Sequence, residues 1–95
     1  MKLEFHPDAE KEFLQAVSWY EAQLPGLGER FNAELRTAAA LLLDYAEIGA
    51  RIDADLRKLV LDRFPYYVIY SISSDLIYVL AVAHDRRKPG YWETR

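Results

Sequence analysis

With 95 residues, 52% apolar and 14% aromatic side chains and no cysteine, the chain reads as one small folded domain, residues 1–95. That composition excludes disorder, a disulfide framework and a thiolate metal site. The net charge of −3 argues against a dedicated nucleic-acid binder, whose affinity comes largely from neutralising phosphates and releasing counterions. The charge is uneven, with four cations against nine carboxylates in residues 1–50 and eight against six in residues 51–95. The opening MKLEFHPDAEKEF carries no apolar signal segment, and no apolar run approaches the ~18 residues of a membrane span. A reducing compartment, with the cytoplasm as default, is the expectation.

Lys2 to Phe5 alternate polar and apolar, which predicts a short strand with one buried face. Pro7 suits a first helical position, and Asp8 and Glu10 suit the positive end of the helix dipole that follows. Ala9, Phe13, Ala16, Val17, Tyr20 and Leu24 then form one apolar stripe, with Glu10, Lys11, Gln15, Ser18 and Glu21 towards water. Trp19 lies beside that stripe. Leu24-Pro25-Gly26-Leu27-Gly28 breaks the helix, the two glycines allowing a tight reversal. A second stripe follows in Phe31, Leu35, Ala38, Ala39 and Leu42, so the two helices make an antiparallel hairpin.

From Arg51 the period changes to strands, at Leu56–Asp62, Tyr66–Ser73 and Leu76–Ala83, joined at Arg63-Phe64-Pro65 and Ser73-Ser74-Asp75. Such short connections force antiparallel neighbours. The last strand is apolar on both faces and is expected to be central. The order β-α-α-β-β-β predicts an α+β fold, the helical hairpin packed on one face of a small, mainly antiparallel sheet. Lys58 should share the less buried face with Val60 and Asp62, opposite Leu59 and Leu61.

Two stretches, LRKLVLDRFPYYVIYSI from Leu56 to Ile72 and IYVLAVAHDRRKPGYW from Ile77 to Trp92, resemble the RelE/ParE superfamily of toxins from type II toxin-antitoxin (plasmid stabilisation) systems. The resemblance extends over essentially the whole chain. It implies a growth-inhibiting cytoplasmic toxin held inactive by a cognate antitoxin. RelE-like members are ribosome-dependent mRNA endoribonucleases, whereas ParE-like members poison DNA gyrase. The nuclease pattern has an arginine two places before the Ile-Tyr of the middle strand and another just past the last strand. Here Tyr67 and Asp85 stand at those places, with Arg86 one position away. The resemblance therefore favours gyrase as partner, with the ribosome and its mRNA as the alternative and a non-toxic antitoxin-binding module as a third reading.

Cutting RNA through its 2′-hydroxyl needs a base, an acid and cations around the phosphorus. The nuclease reading offers His84, Arg86, Arg87, Tyr91 and Lys58 for those roles. The gyrase reading uses Arg86, Arg87, Lys88, Tyr91 and Trp92 as a target-binding surface of cations and aromatics, although Trp92 equally suits packing against the sheet. His6, next to Pro7, is expected to be structural. No metal-ligand spacing, glycine-rich phosphate loop or other cofactor motif is legible.

Overall fold

The computed structural model describes residues 1–95. Strand β1 (Lys2–Phe5) leads into helices α1 (Pro7–Gln23) and α2 (Leu27–Asp44), then strands β2 (Ala50–Arg51), β3 (Arg57–Val60), β4 (Tyr66–Ser73) and β5 (Leu76–His84). A short 3-10 turn, Tyr91–Thr94, follows. The sheet order is β1-β5-β4-β3-β2. All neighbouring pairs are antiparallel except β1 and β5, which are parallel and separated in the chain by the helical hairpin and the three other strands. The α+β architecture and the three long predicted elements of the sheet agree with the sequence. The expected central strand, β5, lies between β1 and β4. No helix is long and apolar enough to cross a membrane.

Both helices start as local chemistry dictates. His6 caps α1 by accepting the Asp8 N–H at Nδ1 (3.0 Å), and Pro7 occupies the first turn. Gly26, at φ 90°, makes the left-handed reversal. Glu21, expected to face water alone, instead accepts the N–H groups of Gly26 and Gly28 at 2.9 and 3.1 Å and so caps the start of α2. Gly28 is not part of the reversal. It is a buried helical residue whose missing side chain lets the helices approach, since a Cβ there would lie 2.5 Å from the Val17 carbonyl oxygen. Leu24 leaves the predicted stripe, because as the C-cap residue of α1 it has extended backbone and points its side chain into solvent.

The main core joins the helix stripes to one sheet face through Ala9, Ala16, Tyr20, Phe31, Leu35 and Leu42 against Val68, Tyr70, Ile77, Val79 and Val82. Phe31 is its aromatic centre, with Tyr20, Phe64 and Tyr66 rings at 5.4, 5.1 and 4.9 Å. The Phe64-Pro65-Tyr66 turn thus docks the sheet onto the hairpin. A register shift opposite Ile69/Tyr70 leaves Leu80 without a partner in β4. This bulge reverses the facing of β5. Ile77 and Val79 before it, and Val82 after it, meet the helices, whereas Ala81 and Ala83 turn to the opposite face.

Tyr70 is fully buried, and its hydroxyl donates to the Ala46 carbonyl (2.7 Å) while accepting the Gly49 N–H (2.9 Å). That oxygen ties the loop after α2 to the sheet, alongside Arg57 Nη1, which donates to the Glu47 and Gly49 carbonyls at 2.9 Å. Tyr70→Phe therefore leaves two backbone groups without partners, and equilibrium urea unfolding is expected to show a loss of about 1–3 kcal/mol with an unchanged m-value.

Candidate functional site

Strand β1 stops at Phe5, opposite Val79, while β5 continues to His84. Past that point the outer edge of β5 has no strand beside it, and its polar backbone groups need other partners. Glu12, one turn into α1 from Ala9, supplies the first. Its Oε1 accepts the Val82 N–H at 3.0 Å. Arg95 supplies the second by donating from Nη1 to the Leu80 carbonyl at 2.9 Å. The two side chains also bind each other through Nη1 to Oε1 (2.9 Å) and Nη2 to Oε2 (2.8 Å), a two-pronged ion pair only 10–11% exposed.

Glu12 Oε2 gathers two more donors, the Tyr91 hydroxyl at 2.7 Å and Arg87 Nη1 at 3.0 Å. The Arg87 guanidinium lies over the Tyr91 ring, 3.5 Å from its centre, and Arg95 lies 5.0 Å from the same ring. Burial alone would push the Glu12 carboxyl up. The hydrogen bonds from Arg95, Tyr91 and Val82 outweigh it and hold that carboxyl below its ordinary range. Tyr91 moves the other way, because burial and the hydrogen bond to the Glu12 carboxylate both favour its neutral form.

Of the residues that sequence patterns suggested, His84, Arg87 and Tyr91 come together. They line a cleft of about 270 Å³ above Glu12, walled by Gln15, Trp19 and Tyr66. His84 Nδ1 accepts the Arg86 N–H at 3.0 Å, so in the neutral ring the other nitrogen carries the hydrogen. Arg86 and Lys88 stand exposed on the following turn and form no ion pair.

Lys58 is elsewhere. It lies on the sheet face opposite the helices, as expected, with its ammonium 4.3 Å from the centre of the Tyr67 ring. Trp92, anticipated as a target-binding anchor, is only 5% exposed. The turn Tyr91–Thr94 folds it onto that face, where it forms a second small core with Tyr67, Ile69, Ala81 and Ala83. The alanines brought there by the Leu80 bulge make room for the indole. Trp92 is thus placed for packing and offers a partner almost no surface. Tyr67, at the position of one expected nuclease arginine, is buried under it at 5.9 Å. Asp85, at the other, lies exposed in a turn and donates its N–H to the Pro65 carbonyl.

Glu12 itself escaped sequence reading. Its signal was its spacing, three residues after Ala9 and four before Ala16, which puts a carboxylate on the edge of the buried stripe.

Residues 3–89 match the family described as ParE toxin of type II toxin-antitoxin system, parDE. The chain belongs to the ParE toxin family. It is similar to Toxin RelE2 of Caulobacter vibrioides, 33% identical over 75 residues that cover 78% of this chain and 84% of the relative. Its fold is similar to a chain of the chromosomal ParDE system from P. aeruginosa, with a TM-score of 0.77 at 18% identity, covering 88% of this chain and 95% of that one. It is also similar to the isolated E. coli RelE toxin, with a TM-score of 0.67 at 22% identity over 97% of this chain and 92% of that one. This ParE-family chain is thus a type II toxin of the RelE/ParE superfamily, and the family implies a cognate antitoxin as partner.

Glu12 gives the toxin a defined acid sensitivity. With a folded pKa below the ordinary 4.5, the unfolded chain takes up the proton first as pH falls. The contribution of Glu12 is therefore complete above that ordinary value and is lost as pH drops through the lower folded value. Glu12→Gln leaves buried Arg95 with only the more distant, exposed Asp8 (3.8 Å) as counter-charge and is expected to lower stability by about 3 kcal/mol at neutral pH. Urea titrations from pH 7 to pH 3 should then show a shallower acid decline in the variant than in the parent.

Proposed function

We propose that this toxin acts in the ParE manner, by gripping DNA gyrase, and does not itself cut nucleic acid. The observation that carries this reading is the commitment of the Tyr91 hydroxyl to Glu12 and the separation of Lys58 from the cleft. His84 Nδ1 is engaged by backbone, the Tyr91 proton is bound to Glu12, and Lys58 rests on Tyr67, outside the cleft. A general base, a general acid and a charge-stabilising cation need to surround one phosphate; Lys58 lies outside the cleft of His84, Arg87 and Tyr91, and within it Tyr91 and one Arg87 nitrogen are committed to Glu12. Trp92 covers the part of the sheet face opposite the helices formed by Tyr67, Ile69, Ala81 and Ala83. What remains outward is a surface of Arg86, Arg87, Lys88 and the edge of Tyr91, suited to holding a protein target.

The rival reading, a ribosome-dependent mRNA endoribonuclease using His84, Arg86, Arg87, Tyr91 and Lys58, draws support from the 33% identity to a relative named Toxin RelE2. Parallel assays of the purified toxin separate the two. Gyrase supercoiling of relaxed plasmid should fail, with broken DNA accumulating, while mRNA on programmed ribosomes stays whole. Truncated mRNA with intact supercoiling would reverse the assignment. Unimpaired growth on expression without antitoxin would instead support a non-toxic antitoxin-binding module. Under the gyrase reading Arg86→Ala with Lys88→Ala should weaken inhibition several-fold while moving stability by less than about 0.5 kcal/mol, as expected of exposed positions.

A further inference from the structure

The cleft between α1 and the end of β5 has a chemistry of its own. Arg87 is 53% exposed, yet its guanidinium is held over the Tyr91 ring at 3.5 Å and tied by one nitrogen to Glu12. Its remaining N–H groups are left for another acceptor, and a guanidinium suits two-point recognition. His84 adds a ring N–H donor, and Gln15 and Trp19 bring further donors to the same walls. The single carboxylate in the cleft, Glu12, is occupied by Val82, Arg87, Tyr91 and Arg95. With its one carboxylate taken and Arg95 outside the cleft, turned to Glu12 and Asp8, the cleft offers unused donors, chiefly on Arg87. Ala16 and Val82 give it an apolar floor. Trp19, 59% exposed and braced edge-on against Tyr20 at 5.1 Å, gives it an apolar wall.

We propose that this cleft receives a carboxylate presented by a protein partner, with Arg87 as the principal ligand and Trp19 covering an adjacent apolar side chain. The inference rests on reading this surface as a partner-binding one. The free donors of Arg87 and His84, beside a Glu12 whose acceptors are taken, select a carboxylate, and the surroundings select protein over nucleic acid. The exposed side of α1 displays Asp8, Glu10 and Glu21, and residues 1–50 carry five more negative than positive charges. A continuous polyanion would run past that field, whereas one carboxylate in an otherwise apolar segment would not. The cleft, about 270 Å³, also fits one or two side chains better than a run of nucleotides.

The test titrates the ¹⁵N-labelled full chain with three tripeptide probes to about 10 mM. They are acetyl-Leu-Glu-Leu-amide, acetyl-Leu-Gln-Leu-amide and acetyl-Leu-Gln-Leu with a free carboxyl end. A single-stranded oligonucleotide serves as the fourth probe. The indole N–H of Trp19 reports binding, and that of buried Trp92 reports that the fold is intact. A saturable Trp19 shift with the Glu peptide identifies a side-chain carboxylate as ligand. A shift with the free-ended peptide identifies a chain terminus. Either result supports the site when the neutral peptide gives none. Arg87→Gln should weaken the response about tenfold or more, and Trp19→Leu, read through the Gln15 amide, should weaken it too. No shift with any probe, an equal shift with the neutral peptide, a response indifferent to Arg87→Gln, or tighter binding of the oligonucleotide would each overturn the proposal. Growth arrest on expression without antitoxin reads the toxin assignment separately, so an empty cleft in a toxic chain removes this site alone.

Discussion

A four-residue strand beside a nine-residue one leaves half an edge of backbone to be satisfied, and the Glu12–Arg95 pair is how this chain satisfies it. The carboxylate takes the N–H of Val82 and the guanidinium gives to the carbonyl of Leu80. Between them they do the work of a missing strand while neutralising each other. Everything beyond β5 is arranged by that contact. Arg87, Tyr91 and Arg95 converge on Glu12, and the turn that carries them lowers Trp92 onto the far face of the sheet. A single residue of α1 therefore links the helical layer, the free edge of β5 and the second core.

Much of this fold was written in periodicity. The stripes of Ala9, Phe13, Ala16 and Tyr20 and of Phe31, Leu35, Ala38 and Leu42 report burial directly, and runs rich in Val, Ile and Tyr report strands. Long-range geometry left no such trace. The two residues of β2 are too few for any period. The bulge at Leu80 is invisible in an unbroken apolar run, yet it decides which of Ala81, Val82 and Ala83 meet the helices. Gly28 reads as turn chemistry until the proximity of Val17 is known. The site was legible in part. His84, Arg87 and Tyr91 were readable as a polar, aromatic exit from a strand, but the common partner of Arg87 and Tyr91 lies more than seventy residues earlier in the chain. Trp92 was ambiguous because an indole serves equally as interface anchor and as core, and only the opposing alanines decide.

The RelE/ParE fold supports more than one activity, so the argument for this member has to rest on side chains. Three of them support the proposed gripping over catalysis. The Tyr91 hydroxyl is committed to Glu12, Trp92 packs onto the sheet face opposite the helices, and Arg87 and exposed Trp19 share a cleft whose one carboxylate is already taken.

The central claim is that Glu12 and Arg95 act as one unit that closes the β5 edge. A double-mutant cycle on Glu12→Gln and Arg95→Gln, read by equilibrium urea unfolding at neutral pH, tests it most directly. The account predicts a coupling energy of at least about 1 kcal/mol, in the range of directly contacting partners. Additive losses, within the roughly 0.5 kcal/mol expected of independent sites, would contradict it.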